Sequence, residues 1–392
     1  MIEEMSRDKI ATRADIPPFI VMDMMRLANE KEIAGDHIIH MEVGQPSTKA
    51  PAGVIDAAHE ALDSNRIGYT DAKGLPELRE RISRHYAQKY NLDISPSRII
   101  VTTGSSAGFV LAFLALFDKG SRVALPVPGY PCYPHILRSL DIDPVFIETD
   151  EKSRWSPRSC DLDKLSKAGG AVDGLLMASP NNPTGTMLDA KALNELATHC
   201  TNNNISFISD EIYHGLTYDE PASTALEFSK NAIVINSFSK YFSMTGWRIG
   251  WMVVPKYLAR PIERLQQNLY INAPTLSQLA ALKAFDCTDE LETYKSAYEK
   301  NRDFLLNELP DAGFAKILPA DGAFYLYADI SDLTDDSKEF TRLILDETGV
   351  ALTPGLDFDA QRGHHFLRFS YARSLSDMQE AVKRLKEWTS KQ

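Results

Sequence analysis

Residues 237–250 read Ser-Phe-Ser-Lys-Tyr-Phe-Ser-Met-Thr-Gly-Trp-Arg-Ile-Gly, the most informative stretch of the chain. It lies between two apolar runs, 232–236 and 247–254, and so reads as a strand followed by a loop that returns toward the sheet. Within that one excursion stand the amine of Lys240, the hydroxyls of Ser237 and Ser239, and the guanidinium of Arg248. The set suits a phosphorylated aldehyde: Lys240 to form an imine, Arg248 and the two serines to hold the phosphate. A lone Ser-x-Ser-Lys is better read as a surface loop before a strand. The rest of the chain has to supply the partners.

Working outward, short β-branched runs alternate with helical patterns, the mark of a parallel sheet with crossover helices. Strands are expected at 98–103, 122–125, 144–148, 174–178, 205–209, 232–236 and 247–254, several apolar almost throughout, as strands covered on both faces are. Helical stretches such as 107–117, 133–140 and 190–200 fall between them. Beyond about residue 260 the texture changes. Long helices are expected at 261–285 and 289–309, short strands near 322–327 and 365–370, and an amphipathic terminal helix at 375–391. The expected architecture is a large α/β domain over 47–290, with a mostly parallel seven-stranded sheet, and a smaller α+β domain formed by 1–46 and 291–392.

Pyridoxal 5′-phosphate is the cofactor that needs a lysine imine and a phosphate cradle at once, and it also needs an acid to keep its pyridine nitrogen protonated. Asp210 follows the apolar strand 205–209, where side chains of an open α/β sheet meet ligands. Tyr213, three residues on, is placed to donate to the phenolic oxygen; the competing reading of Asp-Glu-Ile-Tyr is a helix start capped by Asp210. Asn182 precedes Pro183 in Ser-Pro-Asn-Asn-Pro-Thr-Gly, which keeps it out of the α region and lets its amide reach both that oxygen and a substrate carboxylate. Thr-Gly-Ser-Ser-Ala, from Thr103, ends one strand and opens a helix, so Gly104, Ser105 and Ser106 form a candidate anion cradle, or else a plain serine cap. Tyr130, in Pro-Gly-Tyr-Pro, can stack on a flat ring, and Gly44, in Val-Gly-Gln-Pro, lets backbone approach a ligand. Arg368, in Phe-Leu-Arg-Phe-Ser-Tyr, sits in an otherwise apolar strand, where its fork suits a carboxylate or a buried structural ion pair.

Hydrophobic residues make up 44% of the 392, charged residues 24%, and the formal net charge is −12, so nucleic acid and anionic membrane are poor partners. The four cysteines, Cys132, Cys160, Cys200 and Cys287, are scattered without metal-ligand spacing, and no metal is expected. The longest apolar run, 108–117, is short of a membrane span, and residues 1–8 carry no apolar signal core, so a cytoplasmic protein is expected. His364-His365 reads as a turn.

From about Pro18 to the last helix, the order of these elements resembles the fold-type I pyridoxal-phosphate-dependent aminotransferases of class I and II, in texture the aspartate aminotransferase-like branch. The resemblance implies that Lys240 is the Schiff-base lysine and proton shuttle, Asp210 the partner of the pyridine nitrogen, and Tyr213 and Asn182 the contacts of the phenolic oxygen. It gives the phosphate to Arg248, Ser237, Ser239 and the amides of Gly104, Ser105 and Ser106, the ring face to Tyr130, and the substrate α-carboxylate to Arg368, Asn182 and Gly44. It also sends Tyr69 to the phosphate of a neighbouring subunit, implying a homodimer with shared active sites. The chain departs from some aspartate-using relatives at Ser106, where they carry a lysine, which argues against aspartate. The implied reaction moves an amino group between an α-amino acid and a 2-oxo acid, 2-oxoglutarate being one partner, in a ping-pong cycle. A carbon–sulfur β-lyase or decarboxylase on the same scaffold would share every residue named. A non-enzymatic cofactor-binding regulator would carry a DNA-binding domain ahead of a fold that here starts within about twenty residues of the first.

Overall fold

Most of the apolar runs between residues 98 and 254 carry apolar side chains on both faces, so the sheet they form must be covered twice. The computed structural model describes residues 10–64 and 67–391; residues 1–8, read above for their lack of an apolar core, lie outside them. In chain order come α1 (Ile20–Ala34), β1 (Ile39–His40), α2 (Ala52–Asp63), α3 (Pro76–Tyr90) and β2 (Ile99–Thr102). The alternating stretch follows, with α4 (Gly104–Leu116), β3 (Arg122–Val127), α5 (Cys132–Ser139), β4 (Asp143–Glu148), α6 (Ser159–Gly169) and β5 (Gly174–Ala178). It continues through α7 (Ala190–Asn202), β6 (Ser206–Asp210), β7 (Ile233–Ser237) and β8 (Gly250–Val253). Last come α8 (Lys256–Leu269), α9 (Thr275–Ala284), α10 (Thr288–Glu308), β9 (Lys316–Ile317), β10 (Tyr325–Asp329) and α11 (Ser337–Thr348). The chain closes with β11 (Val350–Ala351), β12 (Thr353–Pro354), β13 (Phe366–Ser370) and α12 (Leu375–Thr389).

Seven strands lie in the order β2-β8-β7-β6-β5-β3-β4, and only β8 runs against its neighbours. Alternate residues serve alternate cores. Val101, Leu175, Met177, Val234 and Trp251 face one cluster, while Ile100, Leu176, Ile208, Ile235 and Met252 face the other. A third core wraps the antiparallel sheet β12-β13-β10-β9 and includes Phe314, Tyr325, Leu367, Phe369 and Leu385. A two-residue parallel pair, β1 with β11, ties the N-terminal segment to that part.

One expectation needs correction. The helix expected over 261–285 is two helices, α8 and α9, with Pro274 as the residue before the second. A proline disfavours helical backbone in the residue before it, while the apolar spacing continues on both sides and hides the break. The strand expected at 365–370 is β13, covered on both faces, and Arg368 within it is only 3% exposed.

Candidate active site

The carboxyl ends of the parallel strands share one edge of the sheet, the place where an open α/β sheet binds ligands. Thr102 ends β2 ahead of Gly104, Val127 ends β3 ahead of Tyr130, and Ala178 ends β5 ahead of Asn182. Asp210 ends β6, and Ser237 ends β7 ahead of Ser239 and Lys240. Because β8 runs the other way, its start brings Arg248 to this same edge. A shared edge accounts for residues that lie up to about 150 positions apart in sequence standing in one place.

Lys240 donates from Nζ to the carbonyl of Gly44 at 2.6 Å and lies 5.8 Å from the ring centre of Tyr213. Burial, then the positive charge of Arg368, bring its amine down to about 8, against a smaller upward pull from Asp210. Asp210 is 2% exposed, and burial pushes its carboxyl up to about 7 although the Tyr133 hydroxyl and the Ile212 amide both donate to it. No helix starts there: turns follow Asp210, so the capping reading is not met. Tyr213 shares a hydrogen bond of 2.8 Å with the hydroxyl of Tyr325.

Arg368 donates from Nη1 to Asn182 Oδ1 at 2.9 Å, and from Nη2 to the Glu42 carbonyl and to Thr353 Oγ1. All three acceptors are neutral, its Nε has no acceptor, and no carboxylate pairs with it among the described residues. A buried guanidinium held only by neutral acceptors is not the structural ion pair that the sequence left open. Its bonded partners among the described residues carry no negative charge.

At the opposite end, α4 begins at Gly104 with no side chain capping its first amides. Gly104 has φ +70°, and a Cβ there would stand 2.7 Å from Arg248 Nη2. A Cβ on Gly250 would stand 3.0 Å from the amide nitrogen of Ser105, so glycine at both positions keeps the cradle open. Ser237 donates to Ser239 Oγ at 2.9 Å, and Arg248 holds a left-handed φ of 52°, a conformation that non-glycine residues adopt at a cost. Ser106 is exposed at the start of the same helix. Uncapped amides, two hydroxyls and a guanidinium fit a phosphate, and a buried carboxylate at the end of a neighbouring strand fits a ring nitrogen.

Tyr130 packs edge-on against Tyr133, ring centres 5.2 Å apart, and against Phe19. Tyr69 stands apart: its side chain is 86% exposed, and no hydrogen bond or ring contact joins it to the others among the described residues. Three residues at the site were missed in the sequence, namely Tyr133, Tyr325 and Thr353. Tyr133 lies three residues after Tyr130, at the start of α5, a closeness in sequence that offered a signal; the other two are brought in by long-range pairing, with Arg368 opposite Thr353 in β12. Among the described residues no helix is long and apolar enough to cross a membrane.

The chain is similar to known proteins over almost its whole length. The family described as aminotransferase class I and II matches residues 36–385. The chain is 43% identical to a valine–pyruvate aminotransferase of Mycobacterium tuberculosis, across 98% of this chain and 100% of that protein. It is 38% identical to a (5-formylfuran-3-yl)methyl phosphate transaminase of Methanocaldococcus jannaschii, across 95% and 97%. Among solved structures, a putative aminotransferase from Silicibacter pomeroyi is 51% identical over 98% of this chain and 100% of that one, with a TM-score of 0.92.

Proposed function

The chain belongs to the class I and II aminotransferases, and from that premise we propose that it moves an amino group between an α-amino acid and a 2-oxo acid in two half-reactions of a ping-pong cycle, with 2-oxoglutarate as one partner. The observation that carries the reading is the recessed Lys240 amine in the company of a buried carboxylate, Asp210, and a buried guanidinium, Arg368, to which no acid is bonded among the described residues. Pyridoxal phosphate, when bound, supplies an aldehyde carbon for the amino group and a ring that withdraws the charge left on the substrate's Cα.

The chain's own residues divide the remaining work. Arg248, Ser237, Ser239 and the amides of Gly104, Ser105 and Ser106 hold the phosphate, and Tyr130 covers the ring. Asp210 pairs with the ring nitrogen: facing a cation, its carboxyl returns to the charged form that burial alone disfavours. Tyr213 and Asn182 hold the phenolic oxygen. Arg368, Asn182 and the Gly44 backbone orient the substrate's α-carboxylate. Lys240 takes the proton from Cα as a neutral amine, and an amine lowered to about 8 has a usable neutral fraction near neutral pH. Tyr69, with its exposed side chain, reaches the phosphate of a second copy in a homodimer. The division into 47–290 against 1–46 with 291–392 is part of this reading, supported by the separate core around the antiparallel sheet. So is a cytoplasmic location, supported by the acidic balance and four unpaired cysteines.

Mixing the holoenzyme with a panel of amino acids, then with 2-oxoglutarate, tests the proposal. Loss of the cofactor's visible band with each active donor, and its return with the oxo acid, is the expected result. Pyruvate with ammonia would instead identify a β-lyase, and no turnover a regulator.

A further inference from the structure

We infer that the amino acid handled by this enzyme carries a large apolar side chain, which lodges in a cavity between the segment leading into α1, the start of α5 and the loop before β13. The inference rests on the aminotransferase reading above and names its substrate class.

The cavity holds about 230 Å³, and Pro17, Pro18, Ile20, Leu125, Tyr130 and Phe358 supply its apolar walls. Apolar cavities of about 150 Å³ accept a benzene ring, so this one has room for an aromatic or branched aliphatic side chain. It adjoins the site at two points. Phe358 lies 4.8 Å from the Arg368 guanidinium carbon, and Tyr133, another wall, donates its hydroxyl proton to Asp210. Phe358 and Tyr133 are thus walls of the cavity that also touch Arg368 and Asp210.

Of the three acids in the lining, Glu148 is exposed at the end of β4 and the other two are already engaged. Asp357 accepts from the amides of Ile20 at 3.0 Å and Val21 at 3.1 Å, and Asp359 accepts from Gln361 and from Arg362. The cap residue of α1 is Phe19, which has no side-chain oxygen, so Asp357 caps that helix from 337 residues away. This bond pins residues 17–20 as a wall of the cavity rather than leaving them a loose leader. Arg138, exposed at the rim, is the group through which an acidic side chain would be held instead.

The test compares kcat/KM of the holoenzyme for L-phenylalanine, L-alanine and L-aspartate in the wild type, in Ile20→Trp, which fills the cavity, and in Ile20→Ala, which enlarges it and shows that the position tolerates change. The wild type is expected to favour phenylalanine over both others, and Ile20→Trp to lower the phenylalanine-to-alanine ratio by about tenfold or more while Ile20→Ala does not. An unchanged ratio in folded Ile20→Trp overturns the inference, as does a preference for aspartate that Arg138→Ala removes. Should no amino acid react at all, the aminotransferase reading itself fails. The cavity is then judged by calorimetric binding of 3-phenylpropionate, which Ile20→Trp must weaken by about tenfold for the inference to stand.

Discussion

The hydroxyl of Tyr325 occupies the space that a Cβ on Gly44 would need. Tyr325 has little room to retreat, because its hydroxyl is bonded to Tyr213 and the Arg368 guanidinium carbon lies 4.4 Å from its ring centre. Gly44 is fixed in turn by the Lys240 amine on its carbonyl. Gly44→Ala therefore displaces a tyrosine from the centre of the site. The expected cost is about 1–3 kcal/mol of stability, as for other overpacked buried positions, with a fall in kcat. Calorimetric melting and steady-state kinetics read both, and an unchanged melt with full activity would show that the segment yields without consequence.

Lys240→Ala should remove the visible band of lysine-bound cofactor and nearly all turnover. The cofactor-free variant should melt no lower than the wild type, since a recessed ammonium held by a single carbonyl is costly to bury. Retained turnover would end the assignment of Lys240.

Asp210→Asn separates function from stability. The carboxyl goes from 3.8 to about 7 on folding, so between those values the folded protein binds more protons than the unfolded chain, and stability falls as pH rises through the window. In cofactor-free protein the asparagine should therefore be the more stable form at pH 8, by up to about 4 kcal/mol, and lose that advantage near pH 4. In the holoenzyme the same change should cut the single-turnover rate by about two orders of magnitude or more, because nothing then secures the proton on the ring nitrogen. Parallel melts at the two pH values and stopped-flow rates decide both halves. A flat difference in melting across the window would place the carboxyl's titration elsewhere.

What the sequence made legible was local. Each strand of the large sheet could be read from an apolar run, and the runs ahead of Gly104, Asp210 and Ser237 ended at residues with usable chemistry, which is what proposed those three for the site. What it hid depends on contacts across the fold. Nothing near Tyr325 in sequence says that its hydroxyl stands against Gly44, 281 residues earlier, or that Tyr133 serves Asp210. The break before α9 was hidden because apolar spacing persists across it, and Pro274 carried a signal that the periodicity outweighed. Arg368 stood midway: an arginine in an apolar strand left a carboxylate clamp and a buried ion pair both open, and the neutral character of its bonded partners speaks against the ion pair.

That distinction makes Arg368→Lys the sharpest test of the site. The guanidinium sits in the middle strand of β12-β13-β10, paired across to Thr353 on one side and Tyr327 on the other, so its place is fixed by register. It spends Nη1 on Asn182 and Nη2 on Glu42 and Thr353, with no acid in reach among the described residues. Lysine keeps the charge but loses the planar fork, and a charge-assisted contact of this kind is worth roughly 1.5–3 kcal/mol, or about 10- to 150-fold in substrate binding. Since the α-carboxylate is common to all substrates, the rise in KM should be similar for amino acids and oxo acids whatever their side chain, and cofactor affinity should change little. A group serving the fold alone predicts the opposite pattern: a lower melting temperature with near-normal kinetics in the surviving protein. Steady-state kinetics on several substrates, beside a melt and a cofactor titration, therefore separate the two, and a KM shift confined to one substrate would assign Arg368 to a side chain instead of the α-carboxylate.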